Sequence, residues 1–477
     1  MTGEAPHPLA ARLADYVVSG SHREYPDDVL DLARMCLADW VCVTLGAVDE
    51  PAAIHISSVV DGWSADGPSC TFRGSRLPPP LAALVNGTLA HCLDYDDVHF
   101  PSLSHLSAPT WAALLALAAG TPCTAQRLLE CFVTGFEIGA RLGSNGVGPA
   151  VLDRGWHATG VVGRLAATVA SAALLGLDRA KVIAAVAIAA TQTSGLTASF
   201  GTDAKPLHAG KAAFDAILSA QLAASGFRGA ADVIDRRGGL IDTLVQLAPP
   251  EMRLDDLEHG WKIRENALKP YACCGMTHAA IDAARYLATE AGARHAGSLA
   301  HVTRVDVEAH PLTSKVAAQT GVTTPLAAKF SIAYCTALGL SGYRATVRDF
   351  ATDRIAQPDI ARLAHKVVLH SAPAMAATAA RVSVAFDDGT QISHLTEVSL
   401  GNPGNPMSWD DLREKFIALV ESKIGARSAP LFEHLRHFGR ARDAEGMWAI
   451  VLPRDPPIDT NSFRPDGGSA PVLAAAG

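Results

Sequence analysis

GVVGRLAATVASAALLGLDRAKVIAAVAIAA, residues 160–190, is the most apolar stretch of the 477-residue chain, and its charges decide how it folds. Arg164, Asp178, Arg179 and Lys181 leave no uncharged run of about 18 residues, so the segment reads as helices buried in protein and not as a membrane span. Gly176 stops the first helix, over 160–175, and Asp178 caps the second, over 179–190. Helices apolar on most faces belong in the middle of a bundle.

The same reading extends outward from this stretch. Apolar residues recur at three- and four-residue steps over 27–45, and Thr124 is placed to cap a helix running to Leu142, ahead of Gly143. Helical character dominates to about residue 265. There the period changes, because Thr303, Val305, Val307 and Ala309 alternate with Arg304, Asp306 and Glu308 in the two-residue repeat of a half-buried strand. A strand pair over 381–386 and 391–395 is turned by Asp388-Gly389. Helix returns after the glycine- and proline-rich stretch 401–406, with Ser408 and Asp411 spaced as a capping box for a helix through Val420. The expected fold is mainly α. The divisions are helical segments 1–265 and 397–452, an α+β insertion over 266–396, and a proline-, glycine- and serine-rich tail over 453–477 that is expected to fray.

Composition narrows the function. With 49% hydrophobic residues the chain can bury large cores, and 40 basic against 48 acidic residues, with no basic run, argue against a nucleic-acid partner. The start carries His7, Arg12 and Asp15 through its apolar stretch and does not read as a secretion signal, which leads to the expectation of a cytoplasmic protein. The nine cysteines are an odd count without a Cys-x-x-Cys pair, so they read as small core residues. Cys273-Cys274 lacks neighbouring third and fourth ligands, which argues against a metal centre.

Four polar clusters stand out against this apolar background. His91-Cys92-Leu93-Asp94-Tyr95-Asp96-Asp97-Val98-His99, with His105 after it, gathers three carboxylates and three histidines within fifteen positions. Loop solvation and helix capping account for some of these. His105, just ahead of a helix, suits proton transfer because imidazole titrates near neutrality. Arg154-Gly155-Trp156-His157-Ala158-Thr159-Gly160 hands a turn to a helix whose free N–H groups favour an anion beside His157; a packed Trp156 and a satisfied His157 are the structural alternative. Phe200 to Lys211 places Pro206 where it suits the first helical position and sets Lys205 near the positive helix end, a conflict that a carboxylate ligand would resolve. Lys205, His208 and Lys211 follow at three-residue steps, which a solvated charged face would also explain. Lys269-Pro270-Tyr271 lies at the junction of the helical part and the insertion, where small-molecule clefts tend to form. Tyr334, in Lys329-Phe330-Ser331-Ile332-Ala333-Tyr334, is an acid or a core aromatic.

These clusters resemble the MmgE/PrpD family of 2-methylcitrate dehydratase-, cis-aconitate decarboxylase- and iminodisuccinate epimerase-like enzymes. The resemblance runs through Asp94-Tyr95-Asp96-Asp97, Gly155 to Gly160, Thr202 to Gly210, Lys269-Pro270-Tyr271, Phe330 to Tyr334 and Gly401 to Ser408. It implies an all-helical domain built from both chain ends, a smaller inserted α+β lid domain, a homodimer, and an active site between the domains that needs no metal or organic cofactor. The implied catalytic residues are His105 for the main proton transfer, His157 and Tyr334 as polarising or secondary acid groups, and Asp94 as orienter. Lys205 and Lys269 would hold substrate carboxylates, with His208 and Thr202 assisting. Val98, Leu106 and Lys329 depart from the family pattern of threonine, proline and an uncharged polar residue, so a different acid is expected to fit.

The expected activity is that of a lyase on a small di- or tricarboxylic acid, by proton transfer at a carbon next to a carboxylate. Dehydration of the 2-methylcitrate kind is preferred to epimerisation or decarboxylation, and a non-catalytic scaffold or binding protein is the alternative of another class. A magnesium-dependent prenyl-diphosphate enzyme would need a second acidic motif on a facing helix, which the sequence lacks.

Overall fold

The computed structural model describes residues 8–20, 23–245, 260–294, 299–440 and 444–452; the tail over 453–477 lies outside these residues. The protein is mainly α. Among the described residues no helix is long and apolar enough to cross a membrane.

The expected caps organise the first helices. Thr124 Oγ1 accepts the Arg127 amide at the head of Ala125–Leu142, and Asp178 does the same for Lys181 ahead of Arg179–Ala190. Each satisfies an amide that the first helical turn leaves unpaired. Helix Asp27–Gly46 runs one residue beyond expectation. The 160–175 helix opens instead with a wide π turn, Thr159–Gly163, before Arg164–Leu174. Trp40, Trp111, Phe132 and Phe136 are fully buried among these helices, and Trp111 stacks on Phe132 with ring centroids 4.3 Å apart. The first part is not entirely helical, because Ser69–Cys70 and Arg76–Leu77 form a short antiparallel pair that no period announces.

Two helices set the geometry of the site. Pro79–Cys92 and Ala204–Ala224 cross so closely that a Cβ on Gly210 would lie 2.2 Å from Thr88 Oγ1 and 2.3 Å from the Leu84 carbonyl oxygen. Only glycine permits that approach. The end of the first helix, with His91, thereby meets the start of the second, with Lys205.

The insertion builds a four-stranded sheet in the order Val367–Ser371, Val302–Ala309, Ala380–Phe386, Gln391–Thr396. Val305 pairs with Val384 in antiparallel register and with Val367 in parallel register. The Val367–Ser371 strand went unforeseen because Val-Val-Leu-His-Ser does not alternate. Thr303 is exposed, against the expected alternation, because a register shift between Val302 and Arg304 turns it outward. Asp388-Gly389 does turn the expected hairpin, with Gly389 at φ 84°.

Beyond the sheet, Ser408 and Asp411 form the expected capping box of Trp409–Ile424. That helix returns to the N-terminal part, where Lys415 Nζ lies 2.6 Å from Asp39 Oδ1 on Asp27–Gly46. Lys415 also donates to the backbone carbonyls of Tyr95 (2.8 Å) and Lys269 (2.9 Å). One buried cation thus ties both site loops to the helical part.

Candidate active site

A cavity between the helical part and the insertion is lined on its polar side by Asp94, His105, His157, Lys205 and Lys269. The remaining lining is apolar and includes Val98, Phe100, Leu152, Phe200, Met276 and Phe330.

Asp94 follows the end of Pro79–Cys92 in the left-handed region, φ 52°. Aspartate tolerates that conformation better than most residues, and such strain clusters at functional sites. Its carboxylate forms a buried ion pair with Lys205, while Lys269 Nζ donates to the Asp94 carbonyl at 2.8 Å and lies 3.4 Å from Oδ2. Burial alone would push the Asp94 carboxyl up, but the two lysines hold it well below the usual carboxylate range. Burial works against the charge of Lys269 as well; Asp94, then Asp96, outweigh it and raise the ammonium pKa. The Lys205 ammonium also sits over the rings of Phe330 and Phe200, 5.1 and 5.4 Å from their centroids.

Asp96 joins two imidazoles. Its Oδ2 is 2.9 Å from Nδ1 of His91 and 3.1 Å from Nδ1 of His105. Despite complete burial the Asp96 carboxyl is held well below its ordinary range by His105 and His91. With Nδ1 turned to Asp96, Nε2 is the His105 nitrogen left for a ligand in the cavity. Burial pushes His91 down to about 4 and His157 well below the usual imidazole range, so both rings are neutral near pH 7. They stack at 5.6 Å. His157 Nδ1 is 3.0 Å from His208 Nδ1, a pairing of one donor and one acceptor that suits two neutral imidazoles.

Among the described residues His91, Asp96 and His105 also form the group whose donor atoms, all within 4.8 Å of one another, are close enough to hold a metal ion. Their nitrogens already face a shared carboxylate, and that arrangement fits a carboxylate steering two imidazoles.

The structure therefore brings five of the eight candidate residues into one cavity. His208 is half-buried behind His157, in contact with that ring, and does not line the cavity. Thr202 is exposed, donates its hydroxyl to the Ser199 carbonyl at 2.7 Å and does not line the cavity. Tyr334 donates its hydroxyl to the Asp349 carbonyl at 2.8 Å, packs against Phe350 and does not line the cavity. It is a core aromatic here. Lys211 pairs with Asp215, because three-residue steps drift by about 60° each around a helix and carry the second lysine away from the first. Pro206 is the third residue of its helix, which begins at Ala204.

The turn before His157 also differs from expectation. The His157 amide donates to the Gly195 carbonyl at 2.9 Å and the Gly160 amide to the His157 carbonyl, so the imidazole and not this helix start faces the cavity. Lys329 does not reach the cavity either; its buried ammonium donates to the Leu93 carbonyl at 2.6 Å. Sequence reasoning underweighted Asp96 and His91, whose spacing gives no sign that they converge with His105, and passed over Lys415, the cation on a distant helix.

Family models described as the MmgE/PrpD N-terminal domain and the MmgE/PrpD C-terminal domain match residues 11–253 and 271–434. A cis-aconitate decarboxylase-like protein of Aspergillus oryzae is 29% identical over 457 residues, covering 89% of this chain and 93% of its own. Cis-aconitate decarboxylase of Aspergillus terreus is 26% identical over 424 residues (84% and 86%), and that of Homo sapiens 29% over 444 residues (90% and 91%). The two matched segments carry Asp94, His105, His157 and Lys205 in one and the sheet of the insertion in the other, with Lys269 between them. Fold, site and both matches lead to one assignment: the chain belongs to the MmgE/PrpD family.

Proposed function

We propose that the chain is a lyase, needing no metal or organic cofactor, that acts on a small di- or tricarboxylic acid by moving a proton at a carbon next to a carboxylate. One observation carries the reading: Lys205 and Lys269, from distant segments, converge on Asp94 beside a histidine whose second nitrogen is free. The lysines would hold substrate carboxylates and the negative charge that develops, and His105 would transfer the proton. A cytoplasmic homodimer is part of the proposal; the location rests on the reading of the N-terminal sequence and the homodimer on the family resemblance.

Among these lyase reactions we favour loss of carbon dioxide over the dehydration preferred from sequence. The relatives named above are decarboxylases, and among the described residues no serine, threonine or tyrosine lines the cavity to assist a departing hydroxide. In a β,γ-unsaturated acid the bond to the carboxylate carbon breaks, and its electron pair forms a new double bond. The old double bond's pair moves to the carbon beside a second carboxylate. That carbon takes a proton from His105, and an apolar wall favours the step because the leaving carboxylate departs as neutral carbon dioxide.

Incubation of the protein with cis-aconitate, 2-methylcitrate and citrate in D₂O, with and without EDTA, followed by NMR, tests the reading. Decarboxylation with one deuterium on the new methylene, unaffected by EDTA, is the expected result. Dehydration or epimerisation would move the assignment within the family. Loss of turnover in EDTA would remove the metal-free mechanism, and no turnover of any acid would favour a binding or scaffold protein.

A further inference from the structure

Two imidazoles line the cavity, and their Nδ1 atoms face different partners. Nδ1 of His105 lies 3.1 Å from the Asp96 carboxylate, whereas Nδ1 of His157 lies 3.0 Å from Nδ1 of His208. The difference decides what each ring can do. A carboxylate balances the positive charge that an imidazole gains on taking up a second proton, and a second imidazole does not. His105 is therefore equipped to pass through the imidazolium form, and His157 is not.

The surroundings of the second pair point the same way. Burial, followed by His91 and Lys205, works against a charge on His157; burial, followed by Lys205 and Arg164, works against one on His208. The two rings are also held in place. His157 stacks on His91 with centroids 5.6 Å apart and meets Phe200 nearly at right angles at 5.0 Å. Its amide donates to the Gly195 carbonyl at 2.9 Å, and Gly195 lies so close to the other ring that a Cβ there would be 3.0 Å from His208 Nδ1. Among the described residues His208 is the one hydrogen-bond partner of the His157 ring, which leaves Nε2 of His157 for a ligand in the cavity. An anionic ligand calls for a hydrogen on that nitrogen, because a bare lone pair would face a carboxylate. His157 must then accept at Nδ1, and the half-buried His208 can donate there because its own Nε2 has no hydrogen-bond partner among the described residues.

We propose that His157 serves the reaction as a hydrogen-bond donor that keeps its proton on Nε2, not as an acid, and that His208 is the positioning residue that holds this tautomer by donating from Nδ1 to Nδ1. His105, backed by Asp96, then carries the proton transfer alone. A neutral imidazole aimed at a substrate carboxylate stabilises the negative charge that develops there. The inference rests on the reading of the cavity as the substrate site.

Turnover of cis-aconitate by variants of the full chain, with nitrogen-15 NMR of the histidine-labelled protein, tests it. Glutamine carries an amide N–H near the place of Nε2 but does not act as an acid, so His157→Gln should lower kcat by less than about tenfold and His157→Leu by about 100-fold or more. His105→Gln should lose at least about 100-fold. Asparagine can donate from the place of Nδ1, so His208→Asn should stay within about threefold of the unmodified kcat while His208→Leu loses about 10- to 100-fold, with smaller changes in KM. In the NMR spectrum His157, identified by the signals that His157→Gln lacks, should be neutral with its hydrogen on Nε2, both free and with tricarballylate bound. A hydrogen on Nδ1, an imidazolium at neutral pH, equal losses in His157→Gln and His157→Leu, or a His105→Gln variant as active as His157→Gln overturns the inference. Should cis-aconitate not turn over, the tautomer still decides it. If Lys269→Met binds tricarballylate as the unmodified chain does, the cavity is not the substrate site and the inference falls with that reading.

Discussion

Asp96 stands 3.1 Å from Nδ1 of His105 through its Oδ2 atom, and the same oxygen is 2.9 Å from Nδ1 of His91. Asp96 does not line the cavity, so an effect of Asp96 on the reaction would pass through the His105 ring that it faces. Carboxylates that fix an imidazole in this way are typically worth about 10- to 100-fold in activity. Asp96→Asn should therefore lower kcat by about that factor and change KM by less than about threefold, with an unchanged melting temperature. A matching rise in KM, or a folding defect large enough to explain the loss, would place Asp96 in binding or in the core.

Lys415 offers a test of how the site is held together. It is buried and bonded to Asp39 and to the carbonyls of Tyr95 and Lys269. Removing one member of a buried pair typically costs about 3–5 kcal/mol, because the charge left behind has no partner. Lys415→Met should lose about that much in denaturant unfolding, and Asp39→Asn added to it should recover part of the loss. A single-variant cost below about 1 kcal/mol would show that solvent reaches the pair.

The residues behind these two predictions differ in how far sequence alone could lead to them. The caps at Thr124, Asp178 and Ser408 were legible because a capping side chain bonds an amide three residues on, a relation wholly local to the chain. Asp94, His157 and Lys205 were legible as polar clusters in an apolar chain. Tyr334 was left as an acid or a core aromatic and placed at the site only by the resemblance, since helical period says that a residue faces inward without saying what it meets there. Lys415 and Asp96 were illegible for the same reason: their partners lie on other segments, and a lysine on an amphipathic helix ordinarily faces water. The Val367–Ser371 strand was missed because a short parallel edge strand carries no alternation to find.

Asp97 makes stability depend on pH. Burial, followed by the nearby Asp39, pushes its carboxyl from 3.8 up to about 7, against the hydrogen bonds it accepts from Ser107 (2.5 Å) and Asn266 (2.8 Å). A raised carboxyl means that the folded state binds the proton more tightly than the unfolded chain does. Stability is then lost as pH rises from about 4 to about 7, by up to about 4 kcal/mol from this group. Asp97→Asn should remove most of that decline while keeping an acceptor for Ser107. If unfolding of the variant and the unmodified chain follow parallel curves over this range, Asp97 is ionised in the fold.

Gly210 sets two effects of known size against each other. In the middle of Ala204–Ala224, alanine would raise helix stability by about 1 kcal/mol over glycine. Its Cβ would meet the Leu84 carbonyl oxygen at 2.3 Å and Thr88 Oγ1 at 2.2 Å, and the carbonyl belongs to a helix backbone that cannot turn aside. Forcing a methyl group into such a contact typically costs about 1–3 kcal/mol and shifts the helices apart. The clash should win, leaving Gly210→Ala about 1–2 kcal/mol less stable. The same shift draws Lys205, five residues earlier, away from Asp94, which lies just past the end of the partner helix. The kcat/KM for the preferred acid should fall by more than the unfolded fraction explains, since small displacements of a positioned charge are costly in catalysis. An alanine variant as stable as the unmodified chain would mean that the two helices can part without strain, and the close crossing would then not be what brings Lys205 to Asp94.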